Sequence, residues 1–230
     1  MARDDMGEQI KPFEVFPAQE LSEGKPIVAR LIGRRFDEVL DGTFEKPFDM
    51  RFAKMMVKTL SHLCATLGAS YGYAERTEVS LYAVSHGGEA RRLLSRIAGE
   101  ASAKLSLLMG QVATFEARLY EFDSVEAATE YFRWRMDETQ SLAIDRWCTH
   151  ILTANGADPN AVAQILEGLG NEEKIELLKQ NSVEFERFPD WQRRGTGVYV
   201  ADDKGGARLV VDLHLPDTDA YLGYLQRFVA

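Results

Sequence analysis

Residues 27–36, Ile27-Val28-Ala29-Arg30-Leu31-Ile32-Gly33-Arg34-Arg35-Phe36, read as a strand that stops at a glycine and runs into a basic loop. Its apolar residues fall on both faces, as in the interior of a sheet. After a loop through Asp41-Gly42-Thr43, Lys46-Pro47 puts a proline where a helix can begin. Phe52, Met55, Met56, Leu60 and Leu63 continue that helix toward Leu67-Gly68. A strand, a loop and a helix packing back on it make half of an α/β sandwich.

The same alternation continues downstream. Residues 69–84 are rich in Tyr, Val and Leu and are interrupted by Glu75-Arg76-Thr77-Glu78, which predicts a hairpin with its tip at that group. A helix is predicted over 89–109, a strand over 113–120, and a long helix opening at Ser124 and running to 152, with the Ser124 hydroxyl as its cap. Short helices over 159–167 and 172–179 follow. Strands at 197–200 and 208–213 flank the turn signal Asp202-Asp203-Lys204-Gly205-Gly206, and a last helix covers 217–229. One short amphipathic piece, 5–13, precedes all of this. The expected division is a sheet-bearing domain over residues 1–152 and a helical lobe with a small hairpin over residues 153–230.

With 230 residues, 45% apolar and 27% charged, the chain can bury a substantial core. No apolar run reaches the roughly 20 residues of a membrane span, and the start lacks a secretory h-region, so no membrane partner and a cytoplasmic location are expected. Cys64 and Cys148 read as buried free thiols. His62, His86, His150 and His214 have no second ligand at helical spacing and read as structural. A net charge of -9 argues against broad attraction to nucleic acid. Local basic clusters remain at Arg34-Arg35, at Arg91-Arg92 with Arg96, at Arg133 with Arg135, and at Arg193-Arg194.

Eight segments, taken in order, resemble those of the tRNA-His guanylyltransferase family, whose members add nucleotides in the 3′-to-5′ direction. Residues 30–36 are similar to R-(L/I)-D-G-R-x-F, and Glu75-Arg76-Thr77-Glu78-Val79-Ser80-Leu81 to Q-S-D-E-(Y/I)-S-(F/L). Phe44-Glu45-Lys46-Pro47-Phe48-Asp49, Gly99-Glu100-Ala101-Ser102 and Phe115-Glu116-Ala117-Arg118 match further family segments. So do Tyr131-Phe132-Arg133-Trp134-Arg135, Glu173-Lys174-Ile175-Glu176-Leu177-Leu178 and Pro189-Asp190-Trp191-Gln192-Arg193-Arg194-Gly195. The likeness is to the bacterial and archaeal members, which repair truncated tRNA 5′ ends.

The resemblance implies a palm-like antiparallel sheet packed with helices, a C-terminal helical lobe, and a homo-oligomer, dimer or tetramer. It also implies ATP or GTP as nucleotide, tRNA or another RNA as partner, and two magnesium ions about 4 Å apart for phosphoryl transfer. Gly33, Arg34, Arg35, Phe36, Lys46, Asp49 and Arg92 would serve the nucleotide; Arg133, Arg135, Lys174, Arg193 and Arg194 are the candidate RNA contacts. The aspartates that hold the ions in the family fall on Ile32 and Thr77, leaving Glu78 as catalytic carboxylate and Glu78 with Gly33 as metal ligands. Magnesium wants hard anionic oxygens. Arg76 replaces a serine, Glu116 an aspartate, and Leu142 and Ile175 asparagines. The leading expectation is therefore a nucleotide- or RNA-binding member with impaired catalysis. An active enzyme with ligands relocated to Asp37, Glu75 and Glu78, or a non-catalytic scaffold, are the alternatives.

Overall fold

The computed structural model describes residues 19–203 and 206–229. The predicted amphipathic piece at 5–13 and the centre of the turn at 204–205 lie outside them. The elements run β1 (Glu20–Leu21), β2 (Pro26–Gly33), α1 (Phe36–Leu40), α2 (Met50–Leu67), β3 (Tyr71–Glu75) and β4 (Glu78–Val84). Next come β5 (Gly88–Glu89), α3 (Ala90–Met109), β6 (Phe115–Glu121), α4 (Val125–Ala154), α5 (Pro159–Glu167) and α6 (Asn171–Gln180). The chain closes with a 3-10 turn (Phe185–Arg187), α7 (Asp190–Arg194), β7 (Thr196–Asp203), β8 (Gly206–Asp212) and α8 (Thr218–Leu225).

Six strands form one antiparallel sheet in the order β6-β2-β4-β3-β7-β8, while β1 and β5 pair separately. The predicted interior strand is indeed interior: β2 lies between β4 and β6. One face of the sheet carries Ala29, Leu31, Val79 and Leu81, packed on Phe52, Met56, Leu60 and Leu63 of α2 and on Ile97, Ala101 and Leu105 of α3. Full burial of a side chain such as Leu60 is worth about 1.5–3 kcal/mol. Asp49 starts α2 by accepting from the Arg51 amide, and Gly68, in the left-handed region at φ 66°, ends it.

The opposite face is aromatic. Val28, Tyr71, Tyr73 and Tyr82 pack there against Ala128, Tyr131, Phe132 and Met136 of α4 and against Tyr221 and Leu225 of α8. Further along α4 the buried residues become Ala143, Ile144 and Cys148, which join Val162, Leu166, Leu178 and Phe185 in a third cluster. Helix α4 thus belongs to both the sheet layer and the helical lobe. Ser124 caps it through the Ala127 amide, as its position predicts.

The hairpin assigned from sequence to the C-terminal lobe lies elsewhere. Strand β7 pairs with β3 over Tyr71–Ala74, so β7 and β8 extend the main sheet. The reason is an unpaired edge: without β7, the backbone groups on the outer side of the fully buried β3 would have no partners. Both cysteines are buried free thiols, and burial pushes Cys64 up to about 12 and Cys148 up to about 11.

Candidate nucleotide cleft and degenerate metal site

Register places Ile32 directly opposite Glu78 on one side and Glu116 on the other. Directly paired residues share a sheet face, so the three side chains form one row on the face that α4 covers. The two-residue turn Arg76-Thr77 joins β3 to β4, and the Gly33 amide donates to the Thr77 carbonyl at 2.9 Å, drawing the turn against the end of β2. All the positions equivalent to the family's metal segments therefore converge.

Their chemistry does not. Ile32 offers hydrocarbon, Thr77 a neutral hydroxyl, and Glu78 is already engaged: its Oε2 accepts from Arg30 Nε at 2.7 Å and lies 3.0 Å from an Arg135 nitrogen. The Arg135 side chain is 1% exposed and also contacts Glu138, which lies 3.9 Å from Arg30. Burial works to lower the Arg30 pKa, but the hydrogen bond and charge of Glu78 outweigh it and leave it raised. Two unit charges 4 Å apart interact by about 4 kcal/mol at an effective dielectric of 20, and a divalent ion at Glu78 would meet two guanidiniums. The residues present do not fit a pair of magnesium ions.

The relocated carboxylates fare no better. Glu75, with a side chain 2% exposed, is ion-paired to Arg146 at 3.1 Å, and Asp37 accepts from Arg76 at 2.8 Å. Among the described residues no group of three or more His, Cys, Asp or Glu side chains is placed to hold a metal.

Beside this row is a cavity of about 310 Å³ lined by Phe44, Phe48, Phe52, Met56 and Trp191, with Lys46, Asp49, Glu75 and Arg76 at its polar wall. It opens toward a wider cleft of about 580 Å³ lined by Lys46, Arg76, Asp145, Arg146, Thr149 and His150. The Lys46–Pro47 peptide is cis. Asp49 is an organiser of this wall: it accepts from the Arg51 guanidinium and from the Glu45 and Arg51 amides. The Arg51 hydrogen bond is the largest influence and, against burial and together with the backbone donors, holds its carboxyl well below the usual carboxylate range.

Several residues assigned to the nucleotide from sequence make contacts within the protein itself. Phe36 is core, 2% exposed and edge-on to Phe52 and Phe115. Gly33 makes room for that ring, since a Cβ there would lie 2.3 Å from Phe36 Cδ2. Arg34 pairs with Glu116 at 3.0 Å and Arg35, at φ 54°, with Glu38; both remain exposed. Arg92 pairs with Glu89 and lines a separate cavity with Ile27, Ala29, Ala83 and Arg96. Ile27 is five residues from Ile32, roughly 17 Å along the strand, so Arg92 is not brought to the site.

Of the candidate RNA contacts, Arg135 is buried as described, and Lys174 is buried on Asp145 at 2.6 Å because α6 packs against α4. Arg193 and Arg194 share Asp190 and donate to the Phe188 and Leu215 carbonyls, with side chains 17% and 18% exposed. Arg133 is half-buried and paired with Glu130. The basic clusters thus spend most of their charge locally. Trp134 is 46% exposed, with the guanidiniums of Arg30 and Arg135 over its ring at 5.4 and 5.3 Å.

Sequence reading missed Arg30 and Arg146 as parts of the site. Arg30 had a signal, a charge inside an apolar interior strand that demands a partner. No helix among the described residues is long and apolar enough to cross a membrane.

Comparison with known proteins agrees with this fold. A bacterial tRNA(His) guanylyltransferase (Thg1)-like protein in complex with ATP superposes with a TM-score of 0.83 at 22% identity, over 98% of this chain and 99% of that one. A bacterial tRNA(His) guanylyltransferase (Thg1)-like protein in complex with GTP gives 0.78 at 23% identity, with the same coverage. The enzyme from Saccharomyces cerevisiae gives 0.73 at 17% identity, over 86% of this chain and 94% of its own. In sequence, the uncharacterized protein R259 of Acanthamoeba polyphaga mimivirus is 24% identical over 231 residues, 84% of this chain and 76% of that protein. The Thg1 family, described as tRNAHis guanylyltransferase, matches residues 7–133. That match spans more than half of the chain and includes the Ile32, Lys46–Asp49 and Glu78 segments, and by it the chain belongs to the Thg1 family.

Proposed function

We propose that this chain is a nucleotide-binding member of the family that engages tRNA or other RNA 5′ ends but does not carry out two-metal nucleotidyl transfer. One observation carries the reading: Ile32 occupies the centre of the carboxylate row, and the remaining Glu78 is neutralised by Arg30 and Arg135. Phosphoryl transfer draws its rate from positioning and electrostatic stabilisation of the phosphates. A row with an alkyl group at its centre supplies neither. Nucleotide binding is supported by the aromatic cavity beside that row and by the ATP and GTP named in the bacterial neighbours' complexes. The reading carries with it a cytoplasmic homo-oligomer, dimer or tetramer.

The test is nucleotide addition. Labelled ATP and GTP are offered with magnesium to the full chain and a 5′-truncated tRNA, with an active family member as control. The expected result is no extended product from this chain, together with retention of nucleotide on it. Template-dependent extension by the wild-type chain would overturn the proposal in favour of an active enzyme.

A further inference from the structure

The apolar cavity and the polar cleft meet at four residues, Asp37, Lys46, Pro47 and Arg76, which line both. A ligand filling both spaces has an apolar head joined to a polar, anionic tail. Two cations stand at the junction. Arg76 lies on the hairpin turn next to Thr77, and its side chain is 18% exposed. It donates to Asp37, whose own side chain is 87% exposed, and Lys46 is 2.7 Å from Asp41, 66% exposed. Ion pairs with such solvated carboxylates contribute little and exchange readily. A phosphate can therefore replace Asp37 or Asp41 without stranding a buried charge. Arg146 is different, since releasing it would leave the buried Glu75 unpaired.

We propose that Arg76, assisted by Lys46, holds the phosphates of a bound nucleoside triphosphate in place of divalent cations, so that this chain binds the nucleotide without magnesium. The inference rests on the nucleotide-binding reading above and adds its phosphate-binding chemistry. Arg76 stands where the family segment has serine, beside the position that has lost its aspartate. A guanidinium is permanently charged, and its fork of donors matches phosphate oxygens two at a time. Charge that ions would bring with the ligand is here fixed to the protein.

Isothermal titration of the full chain with adenosine, ADP, ATP and GTP, in excess EDTA and in magnesium, tests it. ATP is expected to bind in EDTA within about threefold of its affinity in magnesium, with affinity rising from adenosine to ADP to ATP. Arg76→Ser should weaken ATP binding in EDTA by about tenfold or more, leave adenosine unchanged, and be partly rescued by Arg76→Lys. Thermal melts of both variants, expected to match the wild type, separate lost binding from lost folding. If magnesium tightens ATP or GTP by more than about tenfold, or Arg76→Ser binds ATP as the wild type does, the phosphate clamp is refuted while nucleotide binding stands. If neither nucleotide binds under either condition, both readings fall.

Discussion

Glu78 receives the Arg30 guanidinium at 2.7 Å from the neighbouring strand, 48 residues away, at the point where the family's metal chemistry would require a free carboxylate. Arg135 closes on the same oxygen from helix α4, and Glu138 balances the second positive charge. The four charges sum to zero, and the Trp134 ring lies against both guanidiniums. Such a cluster is locked, because each member satisfies another that is wholly or largely out of water.

Glu78→Gln is therefore expected to destabilise the fold by about 3–5 kcal/mol, the cost of breaking a buried pair from one side. At this chain length that corresponds to a fall in melting temperature of about 2–4 °C for each kcal/mol. Arg135→Met should cost a similar amount, and the double variant less than the sum, by about 0.5–3 kcal/mol. Urea unfolding of the four proteins measures the cycle. A carboxylate kept free as a metal ligand would behave in the opposite way, with Glu78→Gln as stable as the wild type or more so.

The sequence exposed local structure better than it exposed this cluster. The interior strand, the α2 helix, the Glu75–Glu78 hairpin tip and the Ser124 cap follow from patterns within a few residues, and the structure has all four. Motif order likewise placed Ile32, Thr77 and Glu78 together. What depended on distant pairing was not legible. The destination of the β7–β8 hairpin is decided by β3, more than a hundred residues earlier. The burial of Arg135 was hidden because α4 changes the side it buries along its length, so no single apolar stripe marks its core face. Phe36 looked like part of a basic ligand loop, and only the packing of Phe52 and Phe115 around it reveals a core residue.

Gly33 tests that last point. A methyl group there would fall 2.3 Å from a Phe36 ring held between two other rings. Gly33→Ala should cost about 1–3 kcal/mol by overpacking. Adding Phe36→Leu should return part of the loss, so that this second change costs less in the alanine background than in the wild type. Thermal melts decide it. If Gly33→Ala leaves stability intact and abolishes nucleotide binding, the glycine serves a ligand instead of the ring.

Asp49 gives a pH signature. Its folded pKa is depressed, principally by the Arg51 hydrogen bond, below the unfolded value of about 3.9. A depressed carboxylate stabilises fully above the unfolded pKa, and that contribution is lost as pH falls through the folded one. Asp49→Asn keeps one oxygen for the helix N-cap but removes the charge and turns the second oxygen, which accepts from the Glu45 amide and the Arg51 guanidinium, into an NH2 donor, at a cost of about 1–3 kcal/mol near neutral pH. The gap between wild type and variant should narrow progressively below about pH 4. Denaturant unfolding at neutral and acid pH reads it, and a gap that stays constant would show that the charge on Asp49 contributes nothing.

Restoring the absent oxygens is the direct chemical test of the degenerate row. Ile32→Asp with Thr77→Asp would place two carboxylates beside Glu78, with Glu116 also opposite position 32. Like charges directly opposite one another in a sheet destabilise, so in EDTA the double variant should melt below the wild type. Magnesium binding to the folded state alone would then raise its stability by RT ln(1 + [L]/Kd), about 2.7 kcal/mol at a hundredfold excess over Kd. The wild-type melting temperature should be insensitive to magnesium. Arg30 and Arg135 decide how far the rescue goes, because Glu78 must release at least one guanidinium before it can face an ion. Adding Arg135→Met to the double variant should therefore strengthen the magnesium response. If wild type and double variant respond equally to magnesium, Ile32 and Thr77 are not what keeps the ions out.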